Sequence, residues 1–256
     1  MKTRRSYLAA ALLVLTLGAC TKRPAQPVFT TLAVDSLLCG EGFSCRIEYR
    51  FASIANAQGH PALEAVEESN IAYFFELEAF SGSASEAADT AITQIVKEFV
   101  APVNTAVSDG VFERPGWEGE ISVESEGRVV DSLLCYTITR SSYTGGAHGM
   151  YSTEHHTYSL ADGFELSLAD LFDARQIEFL DRAIRGKIAM KYDAADDKEL
   201  SDLGFFPEYI RATENFLVTP EGITFSYDPY DIGCYALGSI EVTFSFPELE
   251  ELFSAR

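Results

Sequence analysis

Apolar and polar residues keep two different periods along this chain, and the switches between them mark out its elements. From Phe29 to Leu38 they alternate in part, and from Cys45 to Phe51 strictly, which predicts a pair of half-buried strands. From Pro61 to Leu77 the period becomes helical. Leu63, Val66, Asn70, Ile71 and Phe74 share one face, and Glu64, Glu67 and Glu68 face outward. The glycine-serine run Ser81 to Ser85 breaks that helix. A second begins near Ser85, with Ala88, Ile92, Ile95, Phe99 and Val103 on one face and Pro102 expected to kink or end it. Two strands, 118–125 and 129–140, follow Trp117, whose indole is expected in the core, and Glu126-Gly127 reads as the turn between them. A strand over 152–159 is turned by Asp162-Gly163, and Ser167 to Asp170 cap a helix with the stripe Leu171, Ile177, Leu180, Ile184 and Ile188. Strands over 215–219, 223–228 and 239–245, with a closing helix from Pro247 to Phe253, complete the chain.

The first twenty residues stand apart from this pattern. Lys2, Arg4 and Arg5 precede a short apolar core from Tyr7 to Thr16, and Leu17-Gly18-Ala19-Cys20 ends in a cysteine after small residues. This is the pattern of a bacterial lipoprotein signal, with Cys20 as the lipidated residue and 21–28 as a tether. The expectation is a protein of the cell envelope, held to a membrane only by its N-terminal lipid. Removing the signal takes away three positive charges and no negative ones, so the net charge moves from −20 to −23. Nucleic acid is excluded as a partner, because phosphate binding needs clustered Lys and Arg. The acidity reads first as a means of solubility; a sharper reading is that an acidic surface outside the cytoplasm attracts basic proteins such as lysozymes. Cys39, Cys45, Cys135 and Cys234 remain, an even number in an oxidising compartment; the glycine-containing loop after Cys39 favours Cys39–Cys45 with Cys135–Cys234 over the two other pairings.

Chemistry concentrates around Tyr143-Thr144-Gly145-Gly146-Ala147-His148-Gly149. Paired glycines mark backbone closed to other residues, and His148, ending the turn, is expected to hold it by hydrogen-bonding to backbone, the alternative being that it faces solvent and touches a ligand. On one continuous strand His148, Glu154 and His156 would share a face, as in a two-histidine, one-carboxylate metal site. The spacing matches no metal motif, and no nucleophile elbow, Walker loop or dinucleotide fingerprint occurs. The carboxylates of 193–202 lack the ligand spacing of a calcium loop and read as a solvated loop. No catalytic residue, metal or cofactor is expected.

The 143–149 stretch, Asp162-Gly163, the segment Leu166 to Phe172, the phrase Asn215 to Ile223 and the segment Tyr227 to Gly238 together resemble a bacterial extracytoplasmic family: the C-terminal domain of the lysozyme-sensing anti-sigma factor RsiV and of many lipoproteins. More loosely, Cys45 to Val107 is similar to the companion N-terminal domain that RsiV shares with a peptidoglycan deacetylase. The resemblance implies an α+β fold, a mixed or antiparallel sheet packed with helices, in which two strand-and-helix halves (29–142 and 143–256) form one compact unit. It also implies a binding or sensory module without an active site of its own. Tyr143, Gly145, Gly146, His148, Tyr230 and Tyr235 are the candidate binding residues, and a lysozyme-like protein or a peptidoglycan fragment is the candidate ligand. His155 and His156 fall where the family asks for no histidine, and Cys234 is a local addition. The alternative is a metal-assisted hydrolase of cell-wall glycan using His148 with a carboxylate such as Glu154 or Asp170.

Overall fold

A computed structural model describes residues 23–40, 43–78, 80–111 and 117–254. The expected leader, the expected lipidation position Cys20, the start of the expected tether and the side chain of Trp117 lie outside the described residues. The fold is α+β. Strands β1 (Phe29–Gly40), β2 (Phe43–Ile54), β3 (Trp117–Val130), β4 (Leu133–Tyr143) and β5 (Met150–Ser159) form one sheet in that order. Strands β6 (Phe216–Val218), β7 (Gly222–Tyr227) and β8 (Ile240–Ser245) form a second, antiparallel sheet.

The first sheet is mixed because β3 lies parallel to β2 while its other pairs are antiparallel. A parallel pair needs a crossover, and helices supply it here. Helix α1 (Pro61–Phe75) buries the whole stripe read from the sequence, and Phe74 packs edge-to-face on Phe51 at 5.1 Å. Asn70, the polar member of that stripe, accepts from the Tyr158 hydroxyl at 2.9 Å. Helix α2 (Ala84–Ile95) starts one residue before the expected Ser85, because Ser83 and Glu86 form a reciprocal capping box. Pro102 does not end the helical run. The chain passes through a π turn over Val96–Val100, with Ala101 N–H donating to Val96, and continues as α3 (Ala101–Ser108).

Two expectations from local sequence fail. Gly127 is no turn residue; it sits inside β3 opposite Tyr136, where a Cβ would lie 2.2 Å from the Phe29 ring. The β3–β4 turn falls at Asp131, which adopts φ 54. The acidic run 193–202 is not a loop throughout: Asp196 caps a short helix, α6 (Asp197–Asp202), that follows α4 (Leu168–Leu171) and α5 (Ala174–Lys191). Its carboxylates have protein partners, Asp197 pairing with Arg185 and Asp202 with Lys198.

The cysteines are also corrected. In the β1–β2 register Cys39 stands opposite Ser44, and Cys45 opposite Leu38. Successive strand residues point to opposite faces, so the two thiols do too, one exposed and one buried. Cys135 is buried and donates to the Val218 carbonyl, while Cys234 packs beside Gly204. All four are free thiols.

Leu180, Ile184 and Ile188 of α5 pack with Phe216, Phe225 and Phe244 into the core of the second half, which α7 (Phe246–Ser254) closes through Leu249. Strand β5, from the second half, pairs with β4 to complete the first sheet, and side chains from the second half satisfy its outer edge. Asn215 accepts from His155 N–H at 2.9 Å and donates to the Thr153 carbonyl at 2.7 Å; Asp228 accepts from Thr153 N–H at 2.9 Å. An open edge is thereby closed without a further strand. Among the described residues no helix is long and apolar enough to cross a membrane.

Candidate functional site

The turn between β4 and β5 is built as its glycines suggest. Gly145 and Gly146 adopt φ 99 and φ 101, a region open mainly to glycine. A Cβ on Gly146 would meet nothing within 4 Å, so backbone torsion alone selects glycine there. Gly149 is selected by space, since its Cβ would lie 2.7 Å from the Ser142 carbonyl. Gly146→Val is accordingly expected to lower stability by about 1–3 kcal/mol, and Gly146→Asn by less, because asparagine tolerates left-handed backbone. Thermal melts of the two variants check this; equal losses would point to a steric cause.

His148 is exposed, as in the solvent-facing alternative, and also bonds to backbone. Its Nδ1–H donates to the Gly149 carbonyl at 2.9 Å, and its ring stacks on Tyr235 at 3.9 Å and 23°. The Tyr235 hydroxyl donates to the same carbonyl at 2.7 Å, so a single backbone oxygen fixes both rings. Tyr230 lies 5.7 Å from Tyr235 and Tyr151 lies 6.0 Å from it. Tyr143 donates to the Gly146 carbonyl. The fold thus brings Tyr143, Gly145, Gly146, His148, Tyr230 and Tyr235 into one neighbourhood from segments more than eighty residues apart. Tyr230 is 51% exposed and held at φ 80, an unusual torsion for a bulky residue and a form of stored strain. Tyr151, 38% exposed, is the member the sequence did not flag; its even spacing from His155, which puts both on one face of β5, was the available signal.

His148 does not join Glu154 and His156. It precedes β5, whereas those two lie on the α1 side of the sheet in a polar cluster of their own. The His156 ring stacks on Tyr73 at 4.1 Å, with Nδ1 2.7 Å from Glu165 and Nε2 3.9 Å from Glu154. Arg140 donates to Glu154 at 2.9 Å and to the Tyr73 and Phe74 carbonyls, closing the C-terminus of α1. Burial alone would lower the His156 pKa; the adjoining carboxylates of Glu154 and Glu165 outweigh it and hold it above its ordinary value. Asp170 accepts from Ser167 in the capping box of α4. The proposed acid-base groups are therefore committed to separate structural tasks. Among the described residues no three His, Cys, Asp or Glu side chains converge on a metal position.

His155 takes a role the sequence did not suggest. It is buried on the opposite face of β5, between the hydroxyls of Thr137 at 3.0 Å and Ser226 at 3.1 Å, and joins the two sheets. Burial, with smaller contributions from Arg128 and His156, pushes its pKa down to about 4.

Solved structures with the same architecture are known. A member of the DUF3298 family from Bacteroides fragilis superposes with a TM-score of 0.78 at 24% identity, over 90% of this chain and 94% of that one. A DUF3298 family protein from Pseudomonas aeruginosa PAO1 gives 0.59 at 19% identity, over 89% of this chain and 94% of that one. At these identities the likeness concerns the fold. No curated protein matches the sequence. Residues 169–246, which include Tyr230 and Tyr235 but not His148, match a family described as "Protein of unknown function (DUF3298)".

Proposed function

We propose that this chain is a lipid-anchored binding or sensory module of the cell envelope, akin to the RsiV sensory domain. It recognises a basic protein of lysozyme type, or a peptidoglycan fragment, through the aromatic patch around His148, and it carries no catalytic centre. The observation that carries this reading is the exposed group of Tyr143, Tyr151 and Tyr230 beside Tyr235, fixed to a glycine turn and including a strained tyrosine. Amphipathic aromatics that present rigid area at low entropic cost are the usual anchors of recognition surfaces. The hydrolase alternative has less support, since His148, Glu154 and Asp170 each serve a different local structure.

Strain retained for binding gives a distinctive signature. Tyr230→Gly should relieve about 1 kcal/mol of torsional strain and so fold at least as stably as the native chain. Its affinity for lysozyme or for soluble peptidoglycan fragments, measured by interferometry, should fall at least tenfold. Unchanged affinity in Tyr230→Gly, or no binding of either ligand by the native chain, would count against the proposal.

A further inference from the structure

The patch also carries information on the chemical group it receives, an inference that rests on the reading of this surface as a binding site. Its rings offer faces as well as edges. Tyr235 is covered on one side by stacked His148, while Tyr230, tilted 37° to Tyr235, remains half exposed. Two carboxylates, Asp228 and Asp231, flank Tyr230 in the chain. Neither takes part in an ion pair among the described residues; their hydrogen bonds are to the backbone N–H groups of Thr153 and Asp228. Burial and the neighbouring charges of Asp231 and Glu154 leave the Asp228 carboxyl with a pKa raised to about 6, so negative charge here lacks a compensating cation.

This chemistry discriminates between ligand groups. An anion would meet two carboxylates on a chain of net charge −20. A purely apolar group would gain the ring faces but would bring the carboxylates no partner. A cation gains from both, since ring faces carry negative potential and carboxylates pair with ammonium or guanidinium groups. We propose that the patch of Tyr230, Tyr235 and His148, with Asp228 and Asp231, receives a lysine or arginine side chain of a basic protein partner. The cation lies over the exposed face of Tyr230 and within reach of the carboxylates, and the acidic chain draws the partner in from solution.

The test uses the full chain and short fluorescent peptides that differ at one central residue flanked by glycines and lysines. Lysine, arginine and trimethyllysine at that position should bind similarly, because ring faces accept a methylated cation, whereas norleucine and glutamate should each weaken binding at least tenfold. Tyr230→Phe should retain affinity and Tyr230→Leu should lose about tenfold. Asp231→Asn should lose severalfold and flatten the dependence on salt. Equal binding of the norleucine and lysine peptides, or lysine binding indifferent to Tyr230→Leu, would overturn the inference. If a protein or glycan still footprints on the patch while lysine and norleucine are equivalent, the cation assignment fails and the binding-site reading stands. Where no ligand footprints there, both fail. Equal loss for free spermine and for the lysine peptide in Tyr230→Leu would assign the site to small polyamines and overturn the protein-partner assignment.

Discussion

The stability that His155 contributes is expected to fall by about 3 kcal/mol between pH 7.5 and pH 4. In the folded protein its pKa lies near 4, against an ordinary value of 6.5. Between those values the unfolded chain binds a proton that the folded chain refuses, so stability is full above the ordinary value and is lost as pH falls towards the folded one. The cause is location. The ring is buried between Thr137 and Ser226, and charging it there forfeits hydration that two hydroxyls do not replace. Asp228, raised to about 6 chiefly by burial, acts in the opposite sense over an overlapping window. The effect must therefore be read as a difference. Urea unfolding of the native chain and of His155→Gln should give a stability gap that narrows by about 3 kcal/mol over this range. A gap independent of pH would show that His155 is not held neutral by burial.

Asn215→Leu is expected to destabilise the chain by about 3 kcal/mol, the sum of two part-buried backbone groups left without partners. The Asn215 amide both accepts from His155 N–H and donates to the Thr153 carbonyl. Leucine keeps the branching at Cγ and has neither function. Its backbone continues the joint, because Ser226 N–H donates to the Asn215 carbonyl, so the loss is specific to the amide. Thermal unfolding gives the magnitude, and amide exchange at His155 should accelerate while exchange at Tyr158, deep in the first sheet, changes less. A loss below about 1 kcal/mol would mean that the β5 edge finds other partners.

How much of this was legible in the sequence depended on whether the signal was local. The stripe of α1 and the alternation of β2 were readable because their partners lie on one face with one period. The turn at Asp131 was not, because Gly127 offered a stronger local turn signal whose true cause is the Phe29 ring on a distant strand. Disulfide pairing failed on register: counting cysteines cannot show that Cys39 and Cys45 face opposite ways. The pattern of β5 was ambiguous for a related reason. Helices and the second sheet cover both its faces in part, so His155 and His156 are both largely enclosed, in different surroundings. The glycine torsions followed from the paired glycines; the stacking of His148 on Tyr235 and the part played by Tyr151 required the structure.

The central claim is that the surface around His148 is where this chain meets its ligand. Hydrogen-exchange footprinting of the native chain, alone and with saturating lysozyme or peptidoglycan fragment, addresses it directly. The account predicts slowed exchange confined to residues 143–151 and 228–238. Protection elsewhere with these two segments unchanged would contradict it.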